Sequence, residues 1–197
     1  YTFECCGDKL DMAQLQEIWE SKLEPVYPYR KAGPAVEKIN GSLTAPAAPK
    51  IGVAKPKVII PVFPGTNCEY DTAHAFARAG ADPEVLVIRN LTPADVTASC
   101  EALVTAINES QIVMLPGGFS GGDEPDGSAK FIASFFRNPA VTEAVRDLLQ
   151  HRDGLMLGIC NGFQALIKLG LAAYGDIRPI TACDPTLTFN TIGRHQS

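Results

Sequence analysis

The stretch Leu157-Gly158-Ile159-Cys160-Asn161-Gly162-Phe163-Gln164 sets a cysteine between an apolar run and a helical pattern, with a glycine two residues to either side. A strand-to-helix turn of this kind is a nucleophile elbow with sulfur in place of oxygen. The turn cramps the backbone of its central residue, and flanking glycines remove the side chains that would clash there. It also puts the sulfur at the positive end of a helix, which favours an anion. The chemistry open to such a thiolate is attack on a carbonyl carbon. The plainer reading is a cysteine that fills core space, with glycines that serve only tight packing of strand on helix.

A second loop, Pro116-Gly117-Gly118-Phe119-Ser120-Gly121-Gly122-Asp123, follows the apolar run 112–115. Its glycines let backbone N–H groups point inward, as an oxyanion hole requires, and a further N–H comes from Asn161. Each such donor is worth roughly 3 kcal/mol to an alkoxide developing in the transition state. A phosphate cradle would end in Gly-Lys-Ser/Thr, whereas this loop runs into Asp123, Glu124 and Asp126, which repel phosphate. These carboxylates read as a solvated or loop-closing set, and no metal site is expected.

Cys68 is the rival nucleophile in Pro64-Gly65-Thr66-Asn67-Cys68-Glu69. Its nearest preceding glycine lies three residues away and Glu69 disfavours a neighbouring anion, so it reads as structural or pocket-lining. Cys100 falls mid-helix and Cys183 in a loop. Cys5 and Cys6 are adjacent, and no second pair or His cluster supplies zinc-site spacing.

These loops need elements to hold them. Strand, loop and helix alternate from residue 57 onward: strands at 58–63, 85–89, 112–115 and 155–159, and helices at 72–79, 94–108, 129–136 and 140–150. Asn138-Pro139 opens the last of these helices. The runs 112–115 and 155–159 are apolar throughout, as suits parallel strands covered on both faces. The fold class is α/β, a doubly wound, mostly parallel sheet. Such sheets bind ligands beyond the carboxyl ends of their strands, where the loops after 63, 115 and 159 lie.

Ahead of this domain, residues 8–24 carry a helical stripe of Leu15, Ile18, Trp19 and Leu23 with Asp11 as N-cap. We expect residues 1–30 to be the tail of an upstream region, 31–56 a Pro/Gly/Ala-rich linker and 57–197 the main domain. The chain opens on Tyr1 and stops after His195-Gln196-Ser197 directly behind a strand-like run, as a piece of something longer would.

Composition agrees. Across 197 residues, 46% are hydrophobic and 20% charged, ordinary for a globular chain. A net charge of -5 with scattered basic residues argues against nucleic acid and acidic membranes as partners. The apolar runs fall far short of the ~20 residues of a membrane span. Six widely spread cysteines read as reduced thiols. A cytoplasmic setting is expected.

Gly158-Ile159-Cys160-Asn161-Gly162-Phe163-Gln164 resembles the elbow of class I, triad-type glutamine amidotransferases, and Gly117-Gly118-Phe119 resembles their oxyanion strand. Within that family the Gly-Gly-Phe-Ser loop and the 64–69 loop look most like the C-terminal glutaminase domain of the large phosphoribosylformylglycinamidine synthases. The resemblance covers residues 57–197 and implies a flavodoxin-like domain. It further implies that Cys160 attacks the side-chain amide of glutamine, that Gly118, Phe119 and Asn161 hold the oxyanion, and that Gln164, Ser120 and Asn190 hold glutamine. Ammonia would pass to an upstream synthetase region, absent here, which uses ATP and Mg²⁺ to amidinate formylglycinamide ribonucleotide in purine synthesis. Gln164 could equally cap or face solvent on its helix, and Asn190 could be a strand-end turn residue.

One departure stands out. The family completes its triad with a His and a Glu close together downstream of the cysteine, and no His-x-Glu pair follows Cys160. His74 and His151 read as structural, and His195 sits in the last four residues. The general base is therefore expected beyond Ser197, and the fragment should hydrolyse glutamine poorly. Two other functions compete: an amidotransferase with a different acceptor, and a redox-sensing or partner-binding cysteine domain of similar fold.

Overall fold

The structure, a computed structural model, describes residues 2–22, 25–26, 52–121 and 129–187. The chain divides into two units, Pro46–Leu187 and Tyr1–Ala45 with Thr188–Ser197. Leu23 and the 27–51 stretch, most of the expected linker, lie outside the described residues, as do Asp123, Glu124, Asp126, Asn190 and His195.

In the smaller unit, strands β1 (Thr2–Cys5) and β2 (Asp8–Asp11) form an antiparallel hairpin, and β2 takes the place of the first residues of the helix expected over 8–24. Cys6 and Gly7 both take positive φ, 54° and 89°, as a two-residue hairpin turn with the right twist demands. Helix α1 (Met12–Ser21) starts where Asp11 caps it, accepting from Ala13 N–H at 2.8 Å. Its apolar stripe is bare within the unit: Ile18 and Trp19 are 65% and 80% exposed.

The larger unit runs β3 (Lys57–Val62), β4 (Thr66–Asn67), α2 (Glu69–Arg78), β5 (Asp82–Val87), α3 (Pro93–Glu109), β6 (Ile112–Leu115), β7 (Gly117–Gly118), α4 (Lys130–Phe136), α5 (Pro139–Arg146), β8 (Leu155–Gly158), α6 (Asn161–Leu169) and α7 (Leu171–Tyr174). Four strands form a parallel sheet in the order β5-β3-β6-β8. That is the flavodoxin-like doubly wound order, and its direction of winding reverses between β3 and β6. The loops leaving those two strands flank the crevice where this architecture binds ligands.

Alternation along each strand divides the core. Ile59, Val113 and Leu115 face α3, α4, α5 and α6 in the larger cluster, and Phe63 meets Phe131 and Phe135 edge to face at ring-centroid distances of 5.7 and 5.5 Å. Val58, Ile60 and Met114 face the other way, onto Ala73 and Phe76 of α2. Thr92 and Asp95 form a capping box at the start of α3.

The expectation that β8 is covered on both faces does not hold. Among the described residues β8 stands at the sheet edge, and α2 packs over β3 and β5 instead. Leu155, Leu157 and Ile159 are left 41%, 45% and 52% exposed.

Behind the sheet, the π-helical turn Asp147–His151 continues α5 and aims Asp147 at Arg152. The Arg152 guanidinium donates to the carbonyls of Ile107 and Asn108 at the end of α3 and of Ser110, which caps it, and pairs with Asp147 at 2.7 Å. Arg152 holds the Asp147 carboxyl below its usual range near 3.8, and Arg146 does the same for Asp176. The Tyr174 hydroxyl, with the N–H and hydroxyl of Thr181, lowers Asp184. A carboxyl lowered by folding stabilises the fold above its unfolded value, and that contribution is lost as pH falls through the folded one. The urea midpoint should hold steady from pH 7 to 5 and fall below about pH 4, with Asp147→Asn flattening part of the fall.

Candidate active site

Cys160 stands between β8 and α6 with φ 52° and ψ −107°, outside the regions a non-glycine residue occupies at rest. Such a conformation costs about 1–3 kcal/mol and persists only where its surroundings impose it. Here the imposing contacts are visible. A Cβ on Gly158 would meet the Gly162 carbonyl carbon and oxygen at 2.6 Å, and one on Gly162 would meet the Leu115 carbonyl oxygen at 2.1 Å. The two glycines let α6 start directly against its own strand and against β6. The chain must then reverse within one residue, which leaves the Cys160 thiol exposed at the carboxyl edge of the sheet. The core-filling alternative for this cysteine does not hold.

The two other glycine-rich loops meet each other. β4, in the loop after β3, pairs antiparallel with β7, in the loop after β6, with Thr66 opposite Gly118 and Asn67 opposite Gly117. Sequence reading missed this pair because two-residue strands carry no periodicity. Thr66 anchors the first loop: its Oγ1 accepts from Phe63 N–H at 2.9 Å and donates to Phe63 C=O at 2.8 Å. Gly118, at φ 112°, lies so close to the first loop that a Cβ would meet Gly65 C=O and Thr66 Cα at 2.6 Å. Gly117 lies beside Cys160, whose Cβ would sit 3.6 Å from a Cβ placed on that glycine.

This pairing decides which N–H groups face outward. Phe119 donates its N–H to Gly65 C=O at 2.7 Å, which makes Thr66–Gly118 the non-hydrogen-bonded pair of the ladder. The Gly118 N–H therefore turns away from β4. At the other loop, Asn161 is the first residue of α6, and its N–H has no partner within that helix. Of the three donors expected, Phe119 N–H is engaged by Gly65 and its ring is exposed, Gly118 N–H faces away from β4, and Asn161 N–H lies outside the helix ladder.

Ser120 also differs from expectation. It is fully buried, and both its N–H and its hydroxyl donate to Asn161 Oδ1, at 3.1 and 2.7 Å. Its contacts hold the oxyanion loop to the elbow, so a direct contact with a ligand is replaced by an internal one. Gln164 lies one turn along α6, half-buried, and accepts from Asn161 Nδ2 at 3.1 Å.

The remaining candidates sit elsewhere. Cys68 takes αL backbone at the start of α2, and its thiol donates to Asn67 Oδ1. Burial pushes the Cys100 thiol up. His74 lies on α2 beside a surface cavity with Asp71 and Arg78. His151 contacts Asp147 at the amino end of β8, opposite the end that carries Cys160. Among the described residues no histidine is bonded to Cys160, no group of three His, Cys, Asp or Glu could hold a metal ion, and no helix is long and apolar enough to cross a membrane.

Several known proteins are similar to this chain. Subunit PurQ of phosphoribosylformylglycinamidine synthase from Methanococcus maripaludis is 37% identical over 118 residues, 60% of this chain and 39% of that protein. The subunit of that name from Dehalococcoides mccartyi is 36% identical over 119 residues, covering 60% and 42%, and that from Sulfurimonas denitrificans is 38% identical over 118 residues, covering 58% and 43%. The chain thus spans about two-fifths of the length of these curated relatives. Among solved structures, PurLQS from Thermotoga maritima matches 59% of this chain and 45% of its own at 29% identity, with a TM-score of 0.41. The family model described as the CobB/CobQ-like glutamine amidotransferase domain matches residues 55–197, a span that contains the elbow and both paired loops, and the chain belongs to that family.

Proposed function

We propose that this chain is the glutamine-hydrolysing part of a phosphoribosylformylglycinamidine synthase. The observation that carries the reading is the strained, exposed Cys160 at a strand-to-helix turn beside the Gly117-Gly118 loop. The curated relatives supply the choice of acceptor.

In this mechanism the Cys160 thiolate attacks the side-chain amide carbon of glutamine. A C–S bond forms, and the carbonyl electron pair moves onto oxygen. Gly118 N–H and Asn161 N–H receive that alkoxide, each worth roughly 3 kcal/mol. Collapse expels the amine, which leaves as ammonia once protonated, and water then cleaves the γ-glutamyl thioester to release glutamate and free Cys160. Activating the thiol and protonating the leaving amine call for a base with an imidazole's range, supplied from outside the described residues. Gln164 holds glutamine from α6, and Asn190 is assigned the same task from the segment beyond the described residues. Ammonia would pass to a synthetase partner, where bound ATP and Mg²⁺ would supply the activation needed to amidinate formylglycinamide ribonucleotide. ATP and Mg²⁺ belong to that partner.

The test is the intact mass of the chain after exposure to the chloroketone analogue of glutamine, with peptide mapping of the adduct. One adduct at Cys160, prevented by excess glutamine, is expected. Equal labelling of Cys68, Cys160 and Cys183, unaffected by glutamine, would remove the glutamine reading.

A further inference from the structure

The buried Asn161 amide has partners that fix its orientation. The Ser120 backbone N–H can only donate, so the Asn161 atom 3.1 Å from it must be oxygen. The Ser120 hydroxyl, 2.7 Å from the same atom, adds a second donor. The Asn161 nitrogen is then on the other side of the amide, 3.1 Å from the Gln164 side chain. Facing a donor, Gln164 must turn its Oε1 toward Asn161 and its Nε2 away. Asn161 is fully buried and Gln164 half-buried, so the polarity is set inside the protein and delivered at its surface. It arrives one helical turn from the nucleophile, where Gln164 N–H bonds the Cys160 carbonyl at 3.0 Å.

We infer that the Asn161 side chain is a positioning residue that locks Gln164 as a hydrogen-bond donor beside Cys160, so that the site selects a ligand carrying an acceptor there. The acceptor is a carboxylate or carbonyl oxygen, as an amino-acid substrate supplies, and a ligand with an ammonium or amide N–H at that point is disfavoured. The inference rests on the glutamine reading and adds to it the direction of one bond and the buried residue that sets it.

Two variants separate this role from simple support of the loop. Asn161→Asp keeps an oxygen toward Ser120 but presents a second acceptor to Gln164, which then turns Oε1 outward. Gln164→Glu leaves the Asn161–Ser120 bonds in place and puts an acceptor outward directly.

For each, the glutamine concentration that half-protects Cys160 from the chloroketone is measured, together with the rate of Cys160 alkylation by iodoacetamide, which carries no amino-acid group to be read. Both variants should need at least about tenfold more glutamine, with the iodoacetamide rate changing by much less. A purely structural role would move both readouts in step and overturns the inference. So does a half-protecting concentration within threefold of the parent in both variants. If Asn161→Asp fails to hold its fold, judged by its melting midpoint, Gln164→Glu decides. A parent chain that glutamine does not protect overturns the glutamine reading and this inference with it, whereas a protected parent with unaffected variants overturns the inference alone.

Discussion

The Cys160→Ser chain is expected to take up no chloroketone adduct in the time that labels the parent fully, a loss of at least roughly a thousandfold. The exchange is nearly isosteric, so the elbow and its strained backbone should survive, and the melting midpoint should stay within a few degrees. The difference is chemical. A thiol ionises within reach of neutral pH, whereas a serine hydroxyl needs a base at hydrogen-bond distance, and none of the described histidines is bonded at this position. Cys68→Ser should label at the parent rate, because Cys68 heads α2 without a glycine-flanked strand-to-helix reversal and its thiol is given to Asn67. If the two variants exchanged behaviour, the nucleophile would have to be moved to the other loop.

The second large effect involves no chemistry. Gly162→Ala should lower stability by about 3 kcal/mol, a fall of roughly 10 °C in melting midpoint for a domain of this size, and should remove glutamine-protected labelling. Two effects oppose each other. Alanine favours a helix over glycine by about 1 kcal/mol. Against that, the new carbon would lie 2.1 Å from a backbone oxygen of β6, and neither the helix nor the strand has a rotatable group there to yield. The clash wins, and relief comes only if α6 backs away from the sheet, which would relax the Cys160 turn and part Asn161 from Ser120. A scanning-calorimetry trace unchanged from the parent would show that the contact yields more easily than its geometry implies.

Much of this was legible in the residues. The alternation of short apolar runs with helical patterns located the parallel sheet, and its central strands β3 and β6 were plainest because a strand buried on both faces has no polar side to confuse the period. The elbow was legible because glycines two residues to either side of a cysteine answer a steric demand. Local pattern could not reveal what two distant segments do to each other. The Thr66–Gly118 pairing unites residues about fifty positions apart, and it alone tells that Phe119 spends its N–H on Gly65. Ser120 was assigned to glutamine through the family resemblance alone, and only burial reveals that Asn161 has engaged it. The β1–β2 hairpin was lost because its strands are four residues each and, although Thr2-Phe3-Glu4-Cys5 alternates, Asp8-Lys9-Leu10-Asp11 does not. The other signal was glycine at the turn.

The close contacts at Gly118, Gly158 and Gly162 also bear on how substitution data for this region are to be interpreted. If the proposed function holds, a saturation screen for glutamine hydrolysis should find these positions as intolerant as Cys160, although none of the three offers a side chain to a substrate. Activity alone would merge them into one conserved block. A parallel screen for soluble, folded protein would separate them: every substitution at Gly158 and Gly162 should fail both screens, whereas Cys160 should accept small residues freely in the second and none in the first. A residue kept for its reactivity and residues kept because neighbouring backbone leaves no room for a carbon atom leave the same mark on activity, and only abundance tells them apart.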